Sequence, residues 1–141
     1  MIEFAQKRLI YLQNKGYDIF QLDECIFQKA HTYNYAWAPA TKPLNWDYKL
    51  TKSPDYVAVC GLISGRLGKV FMQGKYGAFD NMAVRSTLIL VKQNLPRGYK
   101  WGIYLDNASI HGHDNVMAWC EANDVPVTFN AKYRPDLMGI E

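Results

Sequence analysis

Trp101-Gly-Ile-Tyr-Leu-Asp-Asn107 is a short apolar run that ends abruptly in a carboxylate and an amide, and its surroundings decide the fold. Upstream, residues 78–95 place Phe79, Met82, Ala83, Ile89 and Leu90 at helical spacing before Pro96-Arg-Gly98 stops the helix. Downstream, Asp114 to Glu121 reads as a helix with Val116, Met117 and Cys120 on one face, and Val125 to Phe129 as a strand. The run at 101–105 is therefore a strand between two helices, the pattern of parallel pairing through helical crossovers.

Further out, Tyr56–Ile63 and Lys69–Met72 read as two strands joined by Ser-Gly-Arg-Leu-Gly, a hairpin with glycines where positive φ is wanted. Residues 18–27 form a strand before it. Ile2, Ala5, Leu9 and Leu12 mark an opening helix, with Lys7 and Arg8 off the stripe and Gly16 as its stop. Tyr33 to Trp37 reads as a short extended edge ended by Pro39, and residues 40–54, with Pro43 and Pro54, as a loop. The expected architecture is α/β: a mixed five-stranded sheet, three antiparallel strands then two parallel ones, flanked by helices.

Composition bounds the class. The 141 residues suit one domain; 49% are apolar, 21% charged, and Gly and Pro together number 16, which excludes a mainly disordered or collagen-like chain. Cys25, Cys60 and Cys120 form no CxxC pair and their odd number cannot close completely into disulfides, so a reducing, intracellular compartment is expected: nucleus in a eukaryote, cytoplasm in a bacterium. Apolar stretches such as Leu88–Val91 fall far short of the roughly 20 residues of a membrane span, and neither a signal peptide nor a membrane partner is expected. The net charge of +3 is unevenly spread, with 10 basic and 3 acidic residues in 41–100 but 2 basic and 6 acidic in 101–141. A basic middle suits a polyanion and an acidic end suits a cation; random clustering on a solvated surface is the plainer alternative.

Asp23 sits late in the first strand and Asp106 ends the fourth. If these strands are neighbours, two hard oxygen ligands meet near one edge of the sheet, where open α/β sheets bind ligands, and a cation relieves their repulsion. Singly, Asp23 reads more simply as an edge carboxylate and Asp106-Asn107 as an Asx turn. Glu24 faces the other side of the strand by the two-residue period. His111 and His113 form a His-x-His without a third soft ligand nearby, and Trp37 and Trp46 read as packing residues.

The joint pattern says more. Tyr104-Leu-Asp-Asn-Ala-Ser-Ile-His111, Tyr133-Arg-Pro-Asp-Leu-Met-Gly-Ile-Glu141, the dipeptide in Gln21-Leu-Asp-Glu-Cys25, Trp37-Ala-Pro39 and Gly68-Lys69 together resemble the DDE superfamily of mariner-type and bacterial insertion-sequence transposases. There a strand ends in Asp-Asn-Ala-x-x-His and a Tyr-x-Pro-Asp-Leu-x-x-Ile-Glu run brings the last acid after 34 intervening residues, as between positions 106 and 141 here. The likeness spans about residues 17–141. It implies an RNase H-like fold and a two-metal Mg²⁺ or Mn²⁺ site of Asp23, Asp106 and Glu141, with Asn107 and His111 as active-site neighbours. It further implies hydrolysis and strand transfer at transposon ends, with double-stranded DNA as partner and a homodimer in the transposition complex. Lys132, Tyr133 and Arg134 are the candidate DNA contacts, plain surface charge being the alternative for the two cations.

Two departures stand out. Met138-Gly139-Ile140-Glu141 replaces the common Asn-Pro-Ile-Glu, and Ala131-Lys132-Tyr133-Arg134-Pro135 replaces Pro-Pro-Tyr-Ser-Pro. The resemblance also implies a helix-turn-helix region before this core and a helix continuing beyond the third acid. The expectation is one catalytic core over 1–141, cut at that acid and lacking both. A non-catalytic nucleic-acid-binding remnant and a cellular RNase H-like nuclease are the competing readings.

Overall fold

The computed structural model describes residues 2–28, 56–106 and 114–130. Its elements run α1 (Ile2–Asn14), β1 (Asp18–Gln28), β2 (Tyr56–Ser64), β3 (Val70–Tyr76), α2 (Asn81–Asn94), β4 (Trp101–Leu105), α3 (Asp114–Ala122) and β5 (Val127–Phe129). The described strands form one five-stranded sheet in the order β3-β2-β1-β4-β5. β2 is antiparallel to β1 and β3, whereas β1–β4 and β4–β5 are parallel, as the strand–helix alternation predicts. The edge piece at 33–37 and the loop at 40–54 lie outside the described residues.

Alternation along the strands separates the two sides of the sheet. Phe20 and Leu22 of β1, Ala58, Cys60 and Leu62 of β2, and Ile103 and Leu105 of β4 share one face and pack against Val84, Leu88 and Val91 of α2 and Val116 and Cys120 of α3. Trp101 meets Phe20 edge-on at 5.7 Å between ring centroids. Burying a side chain of this size contributes roughly 1.5–3 kcal/mol, so this layer is the main source of stability. The other face receives α1 through Ala5 and Leu12.

Local chemistry sets the element ends. Gly16, at φ +84°, ends α1: its amide donates to the Gln13 carbonyl and the Tyr17 amide to that of Leu12. α3 ends in the same paired bonds, Asp124 to Glu121 and Val125 to Cys120, but with Asp124 in the left-handed region at φ +55°. Asp80 caps α2, its Oδ1 accepting from the Ala83 amide at 2.9 Å.

Two expectations are corrected. The buried stripe of α2 is Val84, Thr87, Leu88 and Val91, while Met82 and Leu90 are exposed; Thr87 hid the phase because its hydroxyl is satisfied by Gln73 Oε1 and the Ala83 carbonyl. β3 continues past Met72 to Tyr76, since an edge strand tolerates Gln73, Gly74 and Lys75. Arg8 lies off the apolar stripe, as expected, and its Nε–H donates to Thr128 Oγ1 at 3.2 Å, tying α1 to β5.

Candidate active site

The parallel pairing of β1 and β4 runs in register from Asp18 opposite Trp101 to Leu22 opposite Leu105. One residue further on each chain stand Asp23 and Asp106. Because Leu22 and Leu105 both point into the helical layer, the two-residue alternation sends both aspartates to the opposite face, from neighbouring strands about 4.8 Å apart. Both are partly exposed. The juxtaposition that the sequence makes conditional on strand neighbourhood is thus present in the backbone.

Asp23 is held locally, its Oδ1 accepting from the Glu24 amide at 2.8 Å. Glu24 pairs with Cys60 on the core side, and burial, with Glu24 and then Asp23 adding negative field, pushes the Cys60 thiol up to about 12. Cys60 is accordingly a small apolar filler rather than a nucleophile.

A buried polar brace that the sequence gives no sign of lies beside Asp106. Tyr104, two residues earlier on the same face and 5% exposed, donates its hydroxyl to Asn130 Oδ1 at 2.7 Å; Asn130, 4% exposed, donates its amide to the Leu105 carbonyl. Burial raises the Tyr104 pKa. Asn130 thereby extends the β4–β5 pairing to the level of Asp106, with the Arg8–Thr128 bond one row below. These bonds stiffen the end of β4 that delivers the aspartate.

The donor chemistry, two carboxylates from adjacent strands, fits a hard divalent cation. Among the described residues no group of three His, Cys, Asp or Glu could hold a metal. The third expected ligand, Glu141, lies outside the described residues, as do Asn107, His111, Lys132, Tyr133 and Arg134. No helix among the described residues is long and apolar enough to cross a membrane.

The family model of the DDE superfamily endonucleases matches residues 18–141. No curated protein sequence matches the chain. Among solved structures, the catalytic domain of Mos1 mariner transposase superposes with a TM-score of 0.61 at 16% identity over 97% of this chain and 63% of that one. The Mos1 mariner paired end complex with Mn gives 0.66 at 18% identity over 95% of this chain and 43% of that one. The HTLV-2 integrase catalytic core domain in complex with magnesium gives 0.54 at 12% identity over 79% and 59%. The chain thus spans about two-fifths of the chain in the mariner complex. At these identities the superpositions speak to the fold, which is RNase H-like. Together with the family model, which covers nearly all of the chain, they establish it as a member of the DDE superfamily endonucleases.

Proposed function

We infer that this chain is the catalytic core of a DNA transposase that hydrolyses phosphodiester bonds at transposon ends and then joins the freed 3′ end to target DNA. The observation that supports the reading is the parallel β1–β4 register, in which Asp23, midway along β1, and Asp106, just past the end of β4, each follow the last pair, Leu22 opposite Leu105. The family match, and the presence of Mn or magnesium in the related structures, support a divalent cation.

Asp23, Asp106 and Glu141 would hold Mg²⁺ or Mn²⁺ as a two-metal site. When bound, such ions supply Lewis acidity at phosphorus and lower the pKa of a coordinated water or 3′-hydroxyl. The protein's part is positional. The β1–β4 register fixes the spacing of two carboxylates, the Glu24 amide orients one of them, and the Tyr104–Asn130 brace stiffens the strand bearing the other. No side chain needs to form a covalent intermediate. Asn107 and His111 follow Asp106 closely enough in sequence to contact the scissile phosphate, and Lys132, Tyr133 and Arg134, shortly before Glu141 in sequence, would touch the flanking backbone. The partner is duplex DNA at the transposon ends, engaged by a homodimer.

The test is Mn²⁺-dependent nicking of a transposon-end duplex by the protein and by its Asp23→Asn and Asp106→Asn variants. Nicking lost in both variants, with DNA binding kept, supports the reading. Equal nicking in the variants refutes the assignment, and binding without any nicking by the parent chain, including one extended along its native gene, turns the reading to the non-catalytic remnant.

A further inference from the structure

Two concave surfaces of the described residues lie at the far end of the sheet from the acids. A cleft of about 620 Å³ opens where α2 turns into β4 and α3 into β5, walled by Tyr17, Lys92, Arg97, Tyr99 and Lys100. A second, of about 420 Å³, shares Tyr17 and adds Arg66 from the β2–β3 turn. Both sit at the amino ends of β1 and β4, five residues below Asp106, about 16 Å at the rise of a strand.

The charge gathers in the same place. Seven basic residues are described between 56 and 100, and five of them, Arg66, Lys69, Lys92, Arg97 and Lys100, lie at this pole. Lys92 has a local explanation, since it stands in the last turn of α2 and bonds Asn123 Oδ1. The others sit in turns outside the helices, and among the described residues neither Arg66 nor Arg97 has an ion-pair partner. Lys100 Nζ rests 5.9 Å from the Tyr17 ring centroid. The opposing acids are few. Asp18, 3% exposed, is engaged by the Ser64 and Tyr99 hydroxyls, which leaves Asp124 as the carboxylate in the lining. Unpaired cations interleaved with aromatic faces along an open groove are what a sugar–phosphate backbone requires.

We propose that these two adjoining clefts, which share Tyr17 and carry Arg97 and Lys100 in one and Arg66 in the other, bind a stretch of DNA backbone separate from the one presented to Asp23 and Asp106. The inference rests on the DNA reading given above and adds a second contact, at the opposite end of the sheet. The phosphates engaged here position DNA without reading its sequence. Such a contact sets the angle at which the duplex leaves the acid edge, or retains a second duplex while the first is cut.

The experiment measures duplex affinity by fluorescence anisotropy over a salt series, for the parent and two double variants of equal charge change. Arg97→Gln/Lys100→Gln alters the cleft; Lys7→Gln/Lys75→Gln alters exposed cations elsewhere, on α1 and β3. All four side chains are exposed, and circular dichroism verifies the fold. The cleft variant should flatten the log–log salt slope by about 1.8, at about 0.9 per lost phosphate contact, with the control variant close to the parent. Acetylation of Lys100 should be suppressed by the duplex. Equal weakening by both double variants, or a Lys100 reactivity that DNA leaves unchanged, overturns the cleft while leaving the DNA reading intact. A parent chain that binds no duplex at low salt overturns both. Displacement of the duplex by polyglutamate at matched charge overturns DNA as the occupant.

Discussion

Gly102 lies on β4, four residues before Asp106, and a side chain there would be tightly crowded. A Cβ there would stand 3.0 Å from both the carbonyl oxygen and Cγ of Pro126 and 3.3 Å from Ile19 Cδ1. The nearest obstacle includes backbone, and the adjacent Ile103 amide donates to that same Pro126 carbonyl at 2.9 Å, so relief requires β4 and β5 to separate. Overpacking of this kind costs about 1–3 kcal/mol, and the lower chain entropy of alanine in a strand returns roughly 0.5–1. Gly102→Ala should therefore destabilise by about 0.5–2 kcal/mol, a fall in Tm of about 2–8 °C for a chain of this length. Gly74→Ala on the edge strand β3 is the internal control: its new Cβ would meet Val57 Cγ1 at 3.6 Å, an ordinary contact, and should leave Tm unchanged or slightly raised. Thermal unfolding followed by circular dichroism measures both. A Gly102→Ala protein as stable as the parent would refute the tight β4–β5 packing on which the placement of Asp106 depends.

Other perturbations bear on the rest of the frame. Ser64→Ala removes a hydroxyl donor from the buried Asp18 carboxylate and should cost about 1–3 kcal/mol in denaturant unfolding; combined with Asp18→Asn the loss should be less than additive. The Ala83 amide first, then Lys75, hold the Asp80 carboxyl below its ordinary 3.8, so its contribution is complete above that pH and lost as pH falls through the folded value. Asp80→Asn keeps a capping acceptor and should flatten that acid limb of a stability–pH profile. Asp124→Gly relieves a left-handed backbone at the end of α3 and should stabilise by up to about 1 kcal/mol, seen as a raised denaturant midpoint at unchanged slope.

The fold was largely legible because its strands are short apolar runs set off by Gly, Pro and polar turns, and because strand–helix–strand order demands parallel neighbours. What misled was amphipathic ambiguity: α2 carries apolar residues around much of its circumference, and buried Thr87 breaks the stripe that Val84, Leu88 and Val91 define. In the sequence, Asp23 and Asp106 come together through strand order and through the family motif, since 83 positions separate them. The Tyr104–Asn130 brace was not, because it depends on the β4–β5 register, and an asparagine after a strand reads as the start of a loop. The basic segment was visible in the sequence, but not that its turns converge on one pole.

The central claim is that Asp23 and Asp106 together bind a divalent cation, and paramagnetic broadening by Mn²⁺ of backbone amide resonances tests it most directly. At substoichiometric Mn²⁺ the account predicts broadening centred on residues 22–24 and 105–106 and fading toward Tyr17 and Lys100, about 16 Å or more away. It predicts that Asp106→Asn abolishes this pattern. Broadening centred anywhere else, or undiminished in Asp106→Asn, would contradict the account.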